Sequence, residues 1–221
     1  MSVLVEIVHR IEPGTPNRFA DYVTRYGECA IPALERCGYD VLGAWKWSTG
    51  ELFSDLVLAR FDSLADYEVA RSRAAAELRK GTFDSLAEFR PREKVRLAMT
   101  LPYGTEERLV AAFEASASVT EPRQFVYARL STGIEHMEQV CAAMETNVGY
   151  ARETTQLVTA YTFITGARGE LINFWASSDG PMPMPWNENA PRMPDAYEAF
   201  YELVDCETVD YVNPLPYSRL R

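Results

Sequence analysis

Glu6 and Arg10 stand on the segment Val3 to Ile11, whose run of Val, Leu and Ile suits a β-strand. Side chains on a strand alternate between its two faces. Val3, Val5, Ile7, His9 and Ile11 therefore share one face, and Leu4, Glu6, Val8 and Arg10 the other. A carboxylate beside a guanidinium can do acid–base work. Glu6 can act as a base if it is buried, and Arg10 can hold a carboxylate or a developing enolate through paired hydrogen bonds. A similar set recurs later in the chain, where Phe125, Tyr127 and Arg129 share one strand face. Tyr127 can donate to an oxyanion. Glu6, Arg10, Tyr127 and Arg129 are the catalytic candidates. The competing reading is a Glu6–Arg10 ion pair that neutralises a sheet surface.

Two further strands are unusually aromatic. Trp45 and Trp47 share one face of the first, with Lys46 on the other; Tyr161 and Phe163 do the same in the second, with Thr162 opposite. Such rings either line a site for an apolar molecule or pack as core. Lys46 does not suit an apolar helix interface and joins the polar set if it faces a cavity.

Several chemistries find no support. The two histidines, His9 and His136, form no metal-ligand spacing. His9 falls on the strand face expected to meet helices, where a satisfied core histidine is the expected state. Cys29, Cys37, Cys141 and Cys206 match no zinc pattern and read as free thiols of a reducing compartment. Glycine-rich phosphate loops, nucleophile elbows and dinucleotide fingerprints are missing from the sequence. No cofactor is expected. A net charge of −10 opposes binding to nucleic acid or anionic membranes. No apolar run is long enough to span a bilayer, and the first residues do not read as a secretory signal. The expected location is cytoplasmic. The expected partner is a small-molecule ligand or substrate, with a homodimer compatible.

The elements that must position these residues follow a recognisable order. After the first strand, Thr15 caps a helix with Pro16 at its first position. Its apolar residues run from Phe19 to Leu34, Pro32 kinks its last turns, and Gly38 stops it. Val41 to Ser48 and Leu52 to Phe61 form a hairpin around Thr49-Gly50. Ser63 caps the next helix, a short helical piece covers Phe83–Phe89, and Glu93 to Leu101 closes the half as a strand. This is the βαββαβ, ferredoxin-like order. A short helix over Glu106–Ala112 leads to a linker at 115–123.

The order then begins again. His9 to Gly14 aligns with Ala128 to Gly133, Ala44 to Gly50 with Ala160 to Gly166, and Leu101-Pro102-Tyr103 with Leu215-Pro216-Tyr217. Three matches in order predict a tandem duplicated α+β chain. Its first repeat covers 1–114 and its second 124–221. The second half carries an insert at 178–191 containing Met182, Met184 and Trp186 among prolines. A long proline-rich loop reads either as a lid over a binding site or as a packing flap.

The segments Ile11 to Thr15, Gly43-Ala44-Trp45, Gly50-Glu51-Leu52, Phe61 to Asp66 and Leu215 to Ser218 resemble the NIPSNAP family. Where that family often carries His-Leu-Trp on its third strand, this chain has Val57-Leu58-Ala59 and Asn173-Phe174-Trp175; Arg219 replaces a proline. The resemblance implies antiparallel sheets forming an α/β barrel of the dimeric α/β-barrel type, with Glu6 and Arg10 turned inward. That superfold hosts cofactor-free monooxygenases, lactone isomerases, haem enzymes and proteins without known activity, so fold alone fixes little. The expected function is a cofactor-independent cyclase, isomerase, dehydratase or oxygenase acting on an apolar or aromatic molecule. The alternative is a non-catalytic binding or interaction protein. Trp45, Lys46, Trp47, Tyr161, Phe163, Asn173, Met182, Met184 and Trp186 are the substrate-binding candidates.

Overall fold

The computed structural model describes residues 2–12, 14–148, 155–166, 169–177 and 199–221. Eight strands are formed: β1 (Val3–Arg10), β2 (Asp40–Trp47), β3 (Ser54–Phe61), β4 (Arg92–Thr100), β5 (Phe125–Ser131), β6 (Thr155–Phe163), β7 (Glu170–Ser177) and β8 (Cys206–Pro214). They follow one another as β1-β3-β2-β8-β5-β7-β6-β4 in a closed barrel. Within this ring, β4-β1-β3-β2 and β8-β5-β7-β6 repeat one order, that of a ferredoxin-like sheet. The α+β class expected from the sequence and the barrel implied by the resemblance are thus observed. The chain divides into two compact units, residues 1–99 with 212–221, and residues 100–211.

In the first unit β1 lies between β3 and β4, antiparallel to both. Its odd-numbered residues Val3, Val5 and Ile7 pack with Tyr22, Val23, Tyr26 and Leu34 from the helices, together with Val57, Ala59 and Phe61 of β3. The other face carries Leu4, Glu6 and Val8, paired across β3 with Arg60, Leu58 and Leu56. A bulge between Val41 and Gly43 shifts the register of β2, so that Trp45 lies opposite Leu56 and Lys46 opposite Asp55.

The first helical segment is not one helix. α1 (Pro16–Arg25) passes into a π-helical turn at Tyr26–Ala30, then α2 (Ile31–Cys37). Pro32 explains the break. It has no N–H to give, and its ring would crowd the carbonyl of Glu28 in a regular α-helix. The wider turn relieves that crowding, and the Ile31 N–H reaches the Tyr26 carbonyl. Thr15 Oγ1 accepts from the Arg18 N–H at 3.3 Å, and Gly38 ends α2 at φ 105°. α3 (Leu64–Arg79) starts at Ser63, whose hydroxyl accepts from the Asp66 N–H at 3.2 Å, and a 3₁₀ turn follows at Asp84–Phe89. The C-terminal tail is strapped onto β2: Leu215 N–H donates to the Ala44 carbonyl at 2.8 Å, and Ser218 Oγ accepts from the Ala44 N–H at 3.0 Å.

In the second unit β7 lies between β5 and β6, antiparallel to each. α4 (Glu106–Ser118) outlasts the short helix expected there and runs into the segment assigned as linker. Ala115 and Ala117, within that segment, are good helix formers, so they extend the helix rather than end it. Arg123 then ties the chain back, donating to Ser116 Oγ at 2.8 Å, the Ala112 carbonyl at 3.1 Å and Gln156 Oε1 at 2.9 Å. α5 (Met137–Asn147) buries Val140 and Met144 against Leu130, Leu157, Ala160 and Leu171. The insert 178–191 lies outside the described residues.

Gly104 sits where only hydrogen fits: a Cβ there would stand 2.4 Å from the Ala160 carbonyl oxygen and 2.5 Å from its nitrogen. That carbonyl accepts from the Leu101 N–H at 2.8 Å. Backbone cannot swing aside as a side chain does, so Gly104→Ala is expected to destabilise the chain by about 1–3 kcal/mol. Urea unfolding measures the loss; an unchanged midpoint contradicts the placement.

Candidate functional site

Glu6 is completely buried, at 0% exposure, on the face of β1 away from the helices. Register places it opposite Arg96 on β4. Arg96 Nε donates to Glu6 Oε1 at 2.8 Å, and Nη2 reaches the same oxygen. The ion pair is therefore real, but its cation is Arg96 rather than Arg10. Arg10 stands at the end of β1, where its side chain is 63% exposed and lies 3.8 Å from Glu12. A strand's last residue keeps the facing of its neighbours without their cover. Trp45 and Trp47 are buried, with Trp45 paired to Leu56 of the face that carries Glu6. Lys46 is exposed on the opposite face, level with Asp55.

The second unit has its own aromatic face. Phe125 and Phe174 stack with centroids 5.5 Å apart, and Tyr127 meets Phe174 edge-on at 6.4 Å. Tyr161 and Phe163 form another edge-on pair at 5.7 Å. Arg129 is about one-third exposed; its Nε lies 3.0 Å from Glu170 Oε1, and its guanidinium lies 5.7 Å from the Tyr127 ring centre. Asn173 belongs to the other side of β7. It accepts from the Tyr103 hydroxyl at 2.8 Å and lies 3.9 Å from Met144 Sδ, among the residues that pack against α5. Met182, Met184 and Trp186 lie outside the described residues.

Sequence reasoning missed three polar groups. Arg96 alternates with Val95 and Leu97, and pairing β4 with β1 would have set it beside Glu6. Asp55 and Glu93 are the others, and both serve His9. The His9 ring is buried, with Nδ1 3.0 Å from Asp55 Oδ1 and Nε2 3.3 Å from Glu93 Oε2. Burial opposes the charged imidazolium; Asp55, and after it Glu93, outweigh burial and lift its pKa to about 9. Glu93 is held below the usual carboxylate range by its hydrogen bond to His9. A charged residue inside the apolar run Leu52 to Phe61 was the available signal for Asp55. Among the described residues no cluster of His, Cys, Asp or Glu is arranged to hold a metal ion.

Two open surface grooves lie apart from these groups. One, of about 630 Å³, is lined by Arg18, Arg25, Glu88 and Phe89, and the other, of about 660 Å³, by Arg108, Arg123, Gln156 and Leu157. No helix among the described residues is long and apolar enough to cross a membrane.

Residues 6–98 match the family model described as NIPSNAP, so the resemblance read from the sequence holds over most of the first unit. No curated protein matches the chain. Among solved structures, an anthrone oxidase-like protein is 11% identical with a TM-score of 0.62, covering 100% of this chain and 94% of that one. A mutant chlorite dismutase from Candidatus Nitrospira defluvii is 8% identical with a TM-score of 0.54, covering 98% and 92%. At such identities the likeness is one of fold.

Proposed function

We propose that this chain, whose residues 6–98 carry a NIPSNAP domain, is a cofactor-independent enzyme acting on an apolar or aromatic small molecule through Glu6 and Arg96. The observation that carries this reading is a carboxylate and a guanidinium held together on an aromatic and aliphatic sheet face, away from water. Removing two charges from water is costly, and an apolar pair of similar volume often serves stability as well or better. Retaining the charges suits proton transfer. Glu6 takes a proton from a C–H acidified by a neighbouring carbonyl; the electron pair moves onto the carbonyl oxygen, and Arg96 donates hydrogen bonds to the enolate. This first step is shared by isomerisation, cyclisation, dehydration and cofactor-free oxygenation. The fold shared with an anthrone oxidase-like protein supports aromatic ketones as first substrates to try.

A second reading has an observation of its own. Glu6, Trp45, Tyr127 and Tyr161 are all at 0% exposure, as packed core would be. A substrate can reach Glu6 only if the face opens. If it does not, the chain is a binding or interaction protein.

The two separate on turnover. With anthrone and related aromatic ketones, product formation is expected in the native chain, lowered about 10²–10⁴-fold in Glu6→Gln. No turnover across such a panel, whether or not tryptophan fluorescence detects binding, favours the second reading.

A further inference from the structure

The helix-covered side of the first unit holds a polar cluster that the Glu6–Arg96 chemistry does not use. Its groups come from six elements: His9 on β1, Asp55 on β3, Glu93 on β4, Tyr22 on α1, Tyr26 on the π turn, and Tyr217 on the C-terminal tail. The His9 ring centre lies 4.9 Å from that of Tyr26 and 6.1 Å from that of Tyr22; Tyr26 and Tyr217 are 6.3 Å apart. The Tyr217 ring lies against Gly27 so closely that a Cβ there would be 2.4 Å from it. The π turn thus places a glycine where the tail must approach.

Hydrogen bonding in this cluster is incomplete. Asp55 Oδ1 accepts from the His9 N–H at 3.3 Å and meets the His9 ring at Nδ1. Its other oxygen, Oδ2, and the hydroxyls of Tyr22 and Tyr217 are buried without a hydrogen-bond partner among the described residues. Asp55 and Tyr22 are themselves at 0% exposure. The Asp55 charge acts on both phenols, after burial as the larger cause, and keeps them protonated. One acceptor and two hydroxyls left open in a buried site call for a bound polar molecule.

We propose that Asp55, Tyr22 and Tyr217 bind one small neutral hydrogen-bonding molecule with the size and valence of water, and that Glu93 is the port through which His9 exchanges its proton with solvent. Glu93 suits that role because its side chain is 57% exposed while the His9 ring is buried. The exchange breaks one bond and makes one. The Nε2 proton passes to the Glu93 carboxylate and then to solvent, leaving neutral imidazole with its Nδ1–H on Asp55; the reverse restores the imidazolium.

Nuclear magnetic resonance on the full chain tests both parts. Cross-relaxation is expected between a long-lived water and the Tyr22 and Tyr217 ring protons. It is expected to vanish in the Tyr22→Phe/Tyr217→Phe double variant, which keeps both rings and so the packing. Exchange of the His9 Nε2 proton is expected to slow at least about tenfold in Glu93→Gln. The absence of such a water in the native chain, its persistence in the double variant, or an unchanged exchange rate in Glu93→Gln overturns the proposal.

Discussion

Arg96→Leu is expected to destabilise the chain by about 3–5 kcal/mol, the range for a buried charge stripped of its partner. Glu6 would remain on its apolar face at 0% exposure, having lost the hydrogen bonds from Nε and Nη2. The double variant Glu6→Leu/Arg96→Leu removes both charges and is expected to be at least as stable as the native chain, because neither charge of this pair is then left on the apolar face. Urea unfolding of the native chain, both single variants and the double variant closes the cycle. A single variant within about 0.5 kcal/mol of native means that water reaches Glu6, contrary to its burial. A stable double variant without turnover would place the pair's value in chemistry rather than in folding.

The second large effect is a pH dependence with a definite sign. The folded-state pKa of His9 is raised to about 9, above the ordinary value of 6.5. Its contribution to stability is therefore fully present below pH 6.5 and is lost as pH rises through 9. A shift of that size corresponds to something on the order of 3 kcal/mol. The native chain should lose stability between pH 6.5 and 9, and His9→Asn should lose that part of the slope. Asp55→Asn should also flatten it, because Asp55 is the first of the two groups that favour the charged ring. Denaturant unfolding at half-unit pH steps checks this; equal slopes in native and His9→Asn chains contradict the assignment. Glu93 works in the opposite direction at low pH. Its lowered pKa gives stability above the ordinary carboxylate value that is lost as pH falls through the folded one.

Strand character, helix caps and the βαββαβ order were legible because each rests on local chemistry. Thr15, Ser63 and Gly38 act through the backbone nearest to them, and the faces of β1 follow from alternation alone. Pro32 announced a break, but local sequence does not distinguish a kink from the π turn that tertiary packing selected. The site was less legible because its partners are set by strand register. Glu6 and Arg96 stand far apart in the chain, and only the pairing of β1 with β4 joins them. Arg10 lies closer in sequence yet reaches Glu12, since the strand ends there. In β2 a one-residue bulge set which neighbours Trp45 and Lys46 would meet, and hydrophobic pattern does not reveal a bulge. His9 was readable as a core histidine; that both its ring nitrogens would meet carboxylates from β3 and β4 was not.

In the proposed reaction Glu6 removes a proton from a carbon acid bound beside Arg96. Hydrogen–deuterium exchange into aromatic ketones in D2O, followed by proton magnetic resonance under nitrogen, reads that step without requiring the rest of the reaction. Exchange at the carbon next to the carbonyl should exceed the buffer rate in the native chain and return to it in Glu6→Gln. Equal exchange in the native chain and Glu6→Gln would contradict the assignment of Glu6 as the base.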